Sequence, residues 1–168
     1  MEDLLSLSHL ESKEIVLEKG VFNMRQQVER VLMSFKAQIK RTNLDIKNEL
    51  PQGLSINADK DRIEQVFTNL IDNAVKFNRA KGVIRIYSRD EDNSVKIIVE
   101  YSGIGIPAKD VPRIFERFYR VDKARSRELG GTGLGLSIVK HIVELHGGNA
   151  GVESIEGLSS KFWFTIPK

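Results

Sequence analysis

The stretch GGTGLG at residues 130–135, followed directly by apolar residues at helical spacing, decides the fold of this chain. Gly131, Gly133 and Gly135 allow unusual backbone dihedral angles and let an anion approach the main chain. A helix that begins directly afterwards presents free N–H groups and the positive end of its dipole, which together bind phosphate. Taken alone, the stretch is equally compatible with a flexible turn before an ordinary helix.

The surroundings of these glycines separate them from other phosphate loops. No Lys-Ser or Lys-Thr pair follows them, which excludes a Walker loop. No predicted strand precedes them and their spacing differs from the dinucleotide-binding fingerprint. The loops of eukaryotic-type protein kinases are absent from the chain as well. A phosphate site of another kind is therefore the functional interpretation.

A second motif, NLIDNAVKF at residues 69–77, places polar side chains along one side of a predicted helix. Asn69 and Asn73 are four residues apart and share a helical face, and Lys76 follows one turn later. A carboxamide oxygen suits Mg²⁺, and a lysine ammonium group suits phosphate oxygens. The alternative is a solvated polar face, but asparagine is a poor helix former, so two of them beside an apolar face favour a function.

Two further motifs flank a long loop. The segment SGIGIP at residues 102–107 follows a predicted strand, and Gly103 and Gly105 allow a flat ring to lie close to the backbone. A strand-ending loop is the alternative. In IFERFYRVDK, at residues 114–123, aromatic side chains can anchor a mobile lid while Arg120 and Lys123 reach phosphates. In isolation, an amphipathic surface helix is the better-supported interpretation of this last motif.

The order of predicted elements favours an α+β fold, a two-layer sandwich of a mixed sheet with helices on one face. Asn23 and Asp59 are N-cap residues of two helices, the first of which runs to about residue 41. The apolar face of the second helix consists of Ile63, Val66, Phe67, Leu70, Ile71, Ala74 and Phe77. A third helix is predicted at 136–146, and strands at 15–18, 44–50, 83–89, 95–101, 149–154 and 161–166. The remaining segment, about 103–130, is long for a loop in a compact domain, which predicts a lid.

The composition is that of an ordinary globular domain. The 168 residues are 40% hydrophobic and 29% charged, and the net charge of +3 gives no reason to expect nucleic-acid binding. The absence of cysteine excludes disulfides and thiolate metal sites. No apolar run approaches the roughly 20 residues of a membrane span. We expect a soluble, cytoplasmic domain without direct membrane contact, in a parent protein that can itself be membrane-anchored.

Taken in order, the four motifs resemble those of the catalytic and ATP-binding domain of bacterial sensor histidine kinases, in the superfamily of gyrase, Hsp90 and MutL. The N box resembles residues 69–77, the G1 box 101–107, the F box 114–120 and the G2 box 131–135. The resemblance extends from about residue 21 to 167. It implies the Bergerat sandwich fold and the cofactors ATP and Mg²⁺.

The resemblance also implies roles for individual residues. Asn73 is the expected Mg²⁺ ligand, and Asn69, Lys76 and Arg120 are the expected catalytic side chains. The remaining expected ATP contacts are Phe77, Tyr101, Gly103, Gly105, Ile106, Tyr119, Lys123, Gly131, Thr132, Gly133, Leu134 and Gly135. The ATPases of the superfamily have a glutamate where Asn69 stands, and an amide cannot act as that base, so Asn69 points to phosphoryl transfer.

The chain departs from this family pattern in two places. Residues 1–13 look like the end of a dimerisation helix, and His9 lacks the acidic residue and the Arg-Thr-Pro that follow the family's phosphoacceptor. We therefore expect residues 14–168 to be the catalytic domain and the acceptor histidine to lie on a separate dimerisation domain of the same protein. The second departure is Tyr101, which stands where the G1 box has the aspartate that binds the adenine amino group.

Tyr101 leads us to expect strongly impaired ATP binding. A ring that turns inward would occupy the adenine site, and a ring that turns outward would leave the pocket without its polar anchor. The expected partners remain the dimerisation domain and a response regulator. Two alternatives stay open: a nucleotide-free scaffold that acts through protein contacts, and an anti-sigma or protein serine kinase of the same superfamily.

Overall fold

Seven strands and six α-helices make up the described part of the chain. The computed structural model describes residues 2–11 and 15–168, except for the side chains of residues 2, 6, 7, 10, 11, 126 and 127. The helices are α1 (Glu2–Glu11), α2 (Met24–Ser34), α3 (Lys36–Thr42), α4 (Lys60–Lys76), α5 (Lys123–Glu128) and α6 (Gly135–Leu145). The strands are β1 (Lys19–Asn23), β2 (Asp45–Asn48), β3 (Ser55–Asp59), β4 (Val83–Asp90), β5 (Ser94–Ser102), β6 (Ala150–Ile155) and β7 (Ser159–Pro167). None of the described helices is both long enough and apolar enough to cross a membrane.

The main sheet has five strands in the order β2-β4-β5-β7-β6, and β1 and β3 form a separate antiparallel pair. In the main sheet β2 runs parallel to β4, while every other neighbouring pair is antiparallel. The predicted mixed sheet is therefore confirmed. Strands β4 and β5 are joined by a short turn, whereas the lid segment, α6 and β6 lie between β5 and β7 in the chain. The antiparallel register of β5 and β7 places the end of β5 beside the start of β7.

The core lies between this sheet and helices α4 and α6, which pack against each other on one face of it. Phe67 of α4 and Phe164 of β7 meet edge to face, with ring centroids 5.5 Å apart. The buried residues of α4 are Ile63, Val66, Phe67, Leu70, Ile71 and Ala74, as their apolar spacing predicts. Phe77, at the end of the helix, is only partly buried. The α+β two-layer sandwich expected from the sequence is confirmed.

The strand predicted at 15–18 is wrong, because the first strand is β1 (Lys19–Asn23). Its bounds are set by pairing with β3, a strand that the sequence did not reveal. The register places Val21 opposite Asn57, so the pair forms through contacts between residues far apart in the chain. Such pairing overrides the local preference of a short apolar run.

The single helix predicted from residue 24 to 41 is interrupted at Phe35. Its φ of −101° and ψ of 7° lie outside the helical range, so α2 ends before it and α3 begins after it. The Phe35 side chain is buried in the core. Its burial agrees with the apolar spacing, so the break is confined to the backbone of this one residue and has no explanation in the packing of its side chain.

The segment between β5 and α6 contains a short 3-10 helix at Val111–Arg113 and helix α5. It is otherwise without regular secondary structure, as predicted for a lid. Whether it moves as a lid stays a prediction.

Both predicted N-caps are confirmed, and Asp59 is the more deeply buried of the two. Its Oδ1 accepts a hydrogen bond from the Arg62 N–H (3.2 Å) and its Oδ2 accepts one from the Glu18 N–H (3.0 Å). Replacing Asp59 by alanine leaves both donors unpartnered, so we expect the free energy of unfolding to fall by about 1–2 kcal/mol. Urea unfolding of Asp59→Ala and of Asn23→Ala would measure this. Asn23 is a half-buried cap that accepts one N–H bond, from Gln26, and donates one to the Gln52 carbonyl oxygen. A larger loss for Asn23→Ala would contradict the prediction.

Candidate functional site

One pocket opens between α4, the loop after β5, the lid segment and the start of α6. It brings together residues from all four sequence motifs, although these are spread over more than sixty positions of the chain. The predicted site residues that line it are Asn69, Asn73, Lys76, Phe77, Tyr101, Gly105, Ile106, Tyr119, Arg120, Gly131, Thr132, Gly133 and Gly135. Their contacts with a ligand stay predictions.

The last two turns of α4 form one wall of the pocket. The Asn69 side chain donates a hydrogen bond from Nδ2 to the Gly135 carbonyl oxygen (3.3 Å), which joins α4 to the first residue of α6. The Lys76 ammonium group lies 2.7 Å from an Asp72 carboxylate oxygen, and both side chains are partly exposed. Asn73 lies between these two contacts and faces the same pocket. Amide and ammonium groups thus occur together on the wall, as the helical spacing predicts.

The loop after β5 is held from two sides. The Ile104 N–H donates to the Phe77 carbonyl oxygen (3.3 Å), which ties the loop to the end of α4. On the other side the Ile106 N–H donates to Ser154 Oγ (2.8 Å) in β6. Gly105 lies between these bonds with a φ of +65°, and a β-carbon there would lie 2.2 Å from the Ile155 carbonyl oxygen. The close approach of loop and hairpin explains why glycine occupies this position.

Tyr101 points inward from the end of β5. Only 4% of it is exposed, and its ring stacks on Phe162, with centroids 6.2 Å apart and planes 5° from parallel. Its hydroxyl forms a hydrogen bond with the Ser160 side chain. Burial raises the pKa of Tyr101 far above its ordinary value, and the bond to Ser160 opposes this only in part. The phenol is therefore neutral, and it contributes no negative charge to the pocket wall.

The lid segment and the glycine segment are joined by backbone and side-chain bonds. The Phe118 N–H donates to the Gly133 carbonyl oxygen (2.9 Å), and Arg120 donates to the Gly131 carbonyl oxygen. The Tyr119 hydroxyl donates to Asp110, and the Arg113 guanidinium lies 4.5 Å from the centre of the Tyr119 ring. The lid motif is therefore packed on the glycine segment at the mouth of the pocket.

Thr132 connects the glycine segment to helix α1 and to the turn that precedes α6. Its hydroxyl accepts a hydrogen bond from the Leu134 N–H (3.3 Å) and donates one to the Asp3 carboxylate of α1 (2.7 Å). Helix α1 packs beside α6, so Asp3 reaches the rim of the pocket.

Three predicted site residues do not line the pocket. Leu134 is 2% exposed and belongs to the hydrophobic core, because the turn into α6 directs its side chain inward. Gly103 is the buried first residue of the loop after β5, and a β-carbon there would lie 2.1 Å from the Phe77 carbonyl oxygen. Lys123 begins α5 and is exposed.

Sequence reasoning missed several residues of the pocket wall. Phe162 stacks on Tyr101 and meets Phe115 edge to face, with centroids 6.2 Å apart in each pair. Alternation along the last strand indicates that Phe162 faces the core, but its place beside Tyr101 follows only from the register of β5 and β7. Asp3 and Asp72 also line the pocket. Asp72 lies four residues before Lys76 in the second motif, so helical spacing could have indicated it, whereas the position of Asp3 carries no sequence signal.

The donor set of the pocket fits a magnesium nucleotide. Among the described residues no three His, Cys, Asp or Glu side chains are grouped as metal ligands. Mg²⁺ needs few protein ligands, because it keeps several waters and binds through substrate phosphates. The Asn73 amide oxygen can supply one ligand, and Gly135 at the start of α6 and the cations Lys76 and Arg120 line the same space.

Comparison with known proteins gives consistent matches. The family model described as "Histidine kinase-, DNA gyrase B-, and HSP90-like ATPase" matches residues 58–168. The sensor histidine kinase WalK of Bacillus subtilis is 39% identical over 170 residues, which cover 99% of this chain and 28% of WalK. The chain thus spans about 28% of the length of this curated relative.

Two solved structures share the fold closely. The catalytic domain of the histidine kinase ThkA is 35% identical with a TM-score of 0.79, covering 90% of this chain and 97% of that one. ThkA in complex with the response regulator TrrA is 33% identical with a TM-score of 0.77, covering 99% of this chain and 48% of that one. With the family model matched over the site, the chain belongs to the histidine kinase-, DNA gyrase B- and HSP90-like ATPase family, as a catalytic domain of the sensor histidine kinase type.

Proposed function

We propose that this domain binds ATP with Mg²⁺ in the pocket described above and serves phosphoryl transfer to a histidine. The observation that carries the proposal is the convergence of the four motifs on one pocket at the start of α6. In the longer protein the acceptor histidine lies on a dimerisation domain, and a response regulator receives the phosphoryl group from it. The complex of ThkA with TrrA supports such a partner.

Each wall of the pocket has a part in this proposal. Asn73 holds Mg²⁺, which neutralises phosphate charge when bound. Lys76 and Arg120 add positive charge beside the phosphates, and Asn69 keeps the start of α6 against α4 through its bond to Gly135. Such catalysis is mostly positioning and electrostatic stabilisation. An amide at position 69 cannot remove a proton from water, which favours transfer to another protein group over hydrolysis.

We further propose that Tyr101 impairs the binding of the adenine base at the end of the pocket where it lies. Its inward ring, stacked on Phe162, is a wall of the space next to Phe77 and Ile106 that the adenine would enter. Its neutral hydroxyl is bonded to Ser160, so no carboxylate is offered to an amino group. This burial is also the observation that favours a second candidate function, a nucleotide-free domain that acts only through protein contacts.

The domain boundaries and the location of the protein are part of the same proposal. Helix α1 ends at Glu11 and packs on α6, which supports its assignment as the end of a dimerisation helix that precedes the catalytic domain. The domain would then act in the cytoplasm, where ATP and response regulators are found, whether or not the parent protein is anchored in a membrane.

Calorimetry with ATP tests the nucleotide site itself. In a Tyr101→Asp background we expect Mg²⁺ to strengthen ATP binding. In that background we expect Asn73→Ala to weaken the binding of ATP with Mg²⁺ about tenfold, because one metal ligand is lost. Lys140→Ala, on the exposed side of α6, is the matched control and should bind as the background does. Failure of Tyr101→Asp to bind ATP at all would contradict the nucleotide-site proposal and favour the scaffold.

A further inference from the structure

His146 is a buried titratable side chain that takes no part in the pocket. It is 5% exposed and follows the last residue of α6. Its Nε2 accepts a hydrogen bond from the Asp59 N–H (3.0 Å), and its Nδ1 lies 2.8 Å from the Ile142 carbonyl oxygen. Because Nε2 must be an acceptor toward an N–H group, Nδ1 carries the proton and donates it to Ile142. Both ring nitrogens are thus satisfied only in the neutral Nδ1–H form.

The bond from Asp59 to His146 joins the two helices that carry the candidate site, at the end remote from it. Asp59 is the N-cap of α4, and its carboxylate is held by the N–H groups of Arg62 and Glu18. At the start of α6, the Asn69 side chain from the middle of α4 donates to the Gly135 carbonyl oxygen. Helix α6 is therefore hydrogen-bonded to α4 at both of its own ends, through His146 to the N-cap of α4 and through Gly135 to the middle of α4.

We propose that His146 is a pH-sensitive positioning residue, which holds α6 against α4 in its neutral form and releases this end of the helix pair when protonated. The proposal concerns the helices and not the nucleotide; it rests on the proposed function only in that these helices frame the pocket. Protonation of Nε2 would point an N–H at the Asp59 N–H, replacing a hydrogen bond with two opposed donors.

The charged side chains that face the His146 ring come from the antiparallel pair of β1 and β3. Lys19 on β1 disfavours the imidazolium, and Asp59 at the end of β3 favours it. The Asp59 carboxylate already accepts two backbone N–H bonds, and the Ile142 carbonyl is satisfied by the neutral ring. Burial lowers the pKa of His146 below its ordinary value, and it outweighs the hydrogen bond to the Ile142 carbonyl and the charge of Asp59, which both raise that pKa.

The sign of the pH effect follows from this lowered pKa. The folded state favours the neutral ring, so the stabilisation is complete above the ordinary histidine pKa of about 6.5 and is lost as pH falls from there through the folded-state pKa. For each unit by which the pH falls within that window, protonation of His146 should raise the unfolding equilibrium constant by up to about tenfold.

NMR on the unmodified chain without nucleotide tests the proposal independently of ATP binding. At about pH 7.5, imidazole ¹⁵N shifts should show the Nδ1–H form of His146. On acidification the Asp59 amide should lose protection from hydrogen exchange, and the Asn69 side-chain amide signals should shift with the same midpoint as the ring. The proposal would be overturned by an Nε2–H ring, or by Asn69 signals that do not change while His146 titrates.

Variants provide a second measurement. His146→Gln places an amide oxygen where Nε2 lies, so it can keep the bond from Asp59 without titrating. Its melting temperature should fall less than that of the unmodified chain between about pH 7.5 and 5.5. Equal pH dependence of His146→Gln and the unmodified chain would refute the positioning role.

Discussion

Replacing Tyr101 by aspartate is expected to strengthen ATP binding by about ten- to a hundredfold, because a charge-assisted hydrogen bond contributes about 1.5–3 kcal/mol. The substitution acts in two ways. It supplies a fixed anionic acceptor at the end of β5, and it removes a ring that is stacked on Phe162 in the pocket wall. Calorimetric titration of both proteins with ATP and Mg²⁺ measures the difference.

Two further variants separate the loss of the anchor from the bulk of the ring. Tyr101→Phe keeps the stacking on Phe162 and removes only the hydroxyl bonded to Ser160, so it should bind ATP as weakly as the unmodified chain. Tyr101→Ala opens the space without supplying a carboxylate and should give an intermediate affinity. If Tyr101→Ala matches Tyr101→Asp, steric exclusion is the whole effect. Equal micromolar affinity in the unmodified chain and Tyr101→Asp would contradict impairment altogether.

Much of the fold could be predicted because its determinants are local. The caps Asn23 and Asp59 and the apolar face of α4 depend on residues within a few turns of one another, and all were confirmed. The pairing of β1 with β3 depends on residues more than thirty positions apart, and no local pattern encodes it. The burial of Phe35 follows the predicted periodicity, but the break in its backbone between α2 and α3 has no signal in the local sequence.

In the candidate site, too, the features that depend on local sequence could be predicted and those that depend on distant contacts could not. Side chains at helical spacing, such as Asn69 and Asn73, could be assigned to one wall because helix geometry fixes their relation. The neighbours of Tyr101 could not, since Phe162 and Ser160 reach it through the register of β5 and β7. The bond of Asn69 to Gly135 likewise needs two helices to be in contact, which a single motif does not reveal.

The position most sensitive to substitution in this site is expected to be Gly105. With a φ of +65°, an alanine there meets the left-handed strain of about 1 kcal/mol and also the Ile155 carbonyl oxygen, 2.2 Å from its β-carbon. Backbone cannot yield as a flexible side chain does, so the loop must leave the β6–β7 hairpin. We expect a further loss of about 2 kcal/mol or more in the free energy of unfolding.

Gly157 provides the matched control, because it separates strain from crowding. It has a φ of +77° in the same hairpin, and a β-carbon there would meet nothing within 4 Å. Gly157→Ala should therefore show the left-handed strain alone, and urea unfolding of the two variants isolates the cost of the close approach. In Gly105→Ala the bonds from Ile106 N–H to Ser154 and from Gly157 N–H to Ile104 should also exchange faster. Equal destabilisation of both variants would mean that the loop after β5 can shift without cost. Its contact with the β6–β7 hairpin would then not fix the part of the pocket proposed to bind adenine.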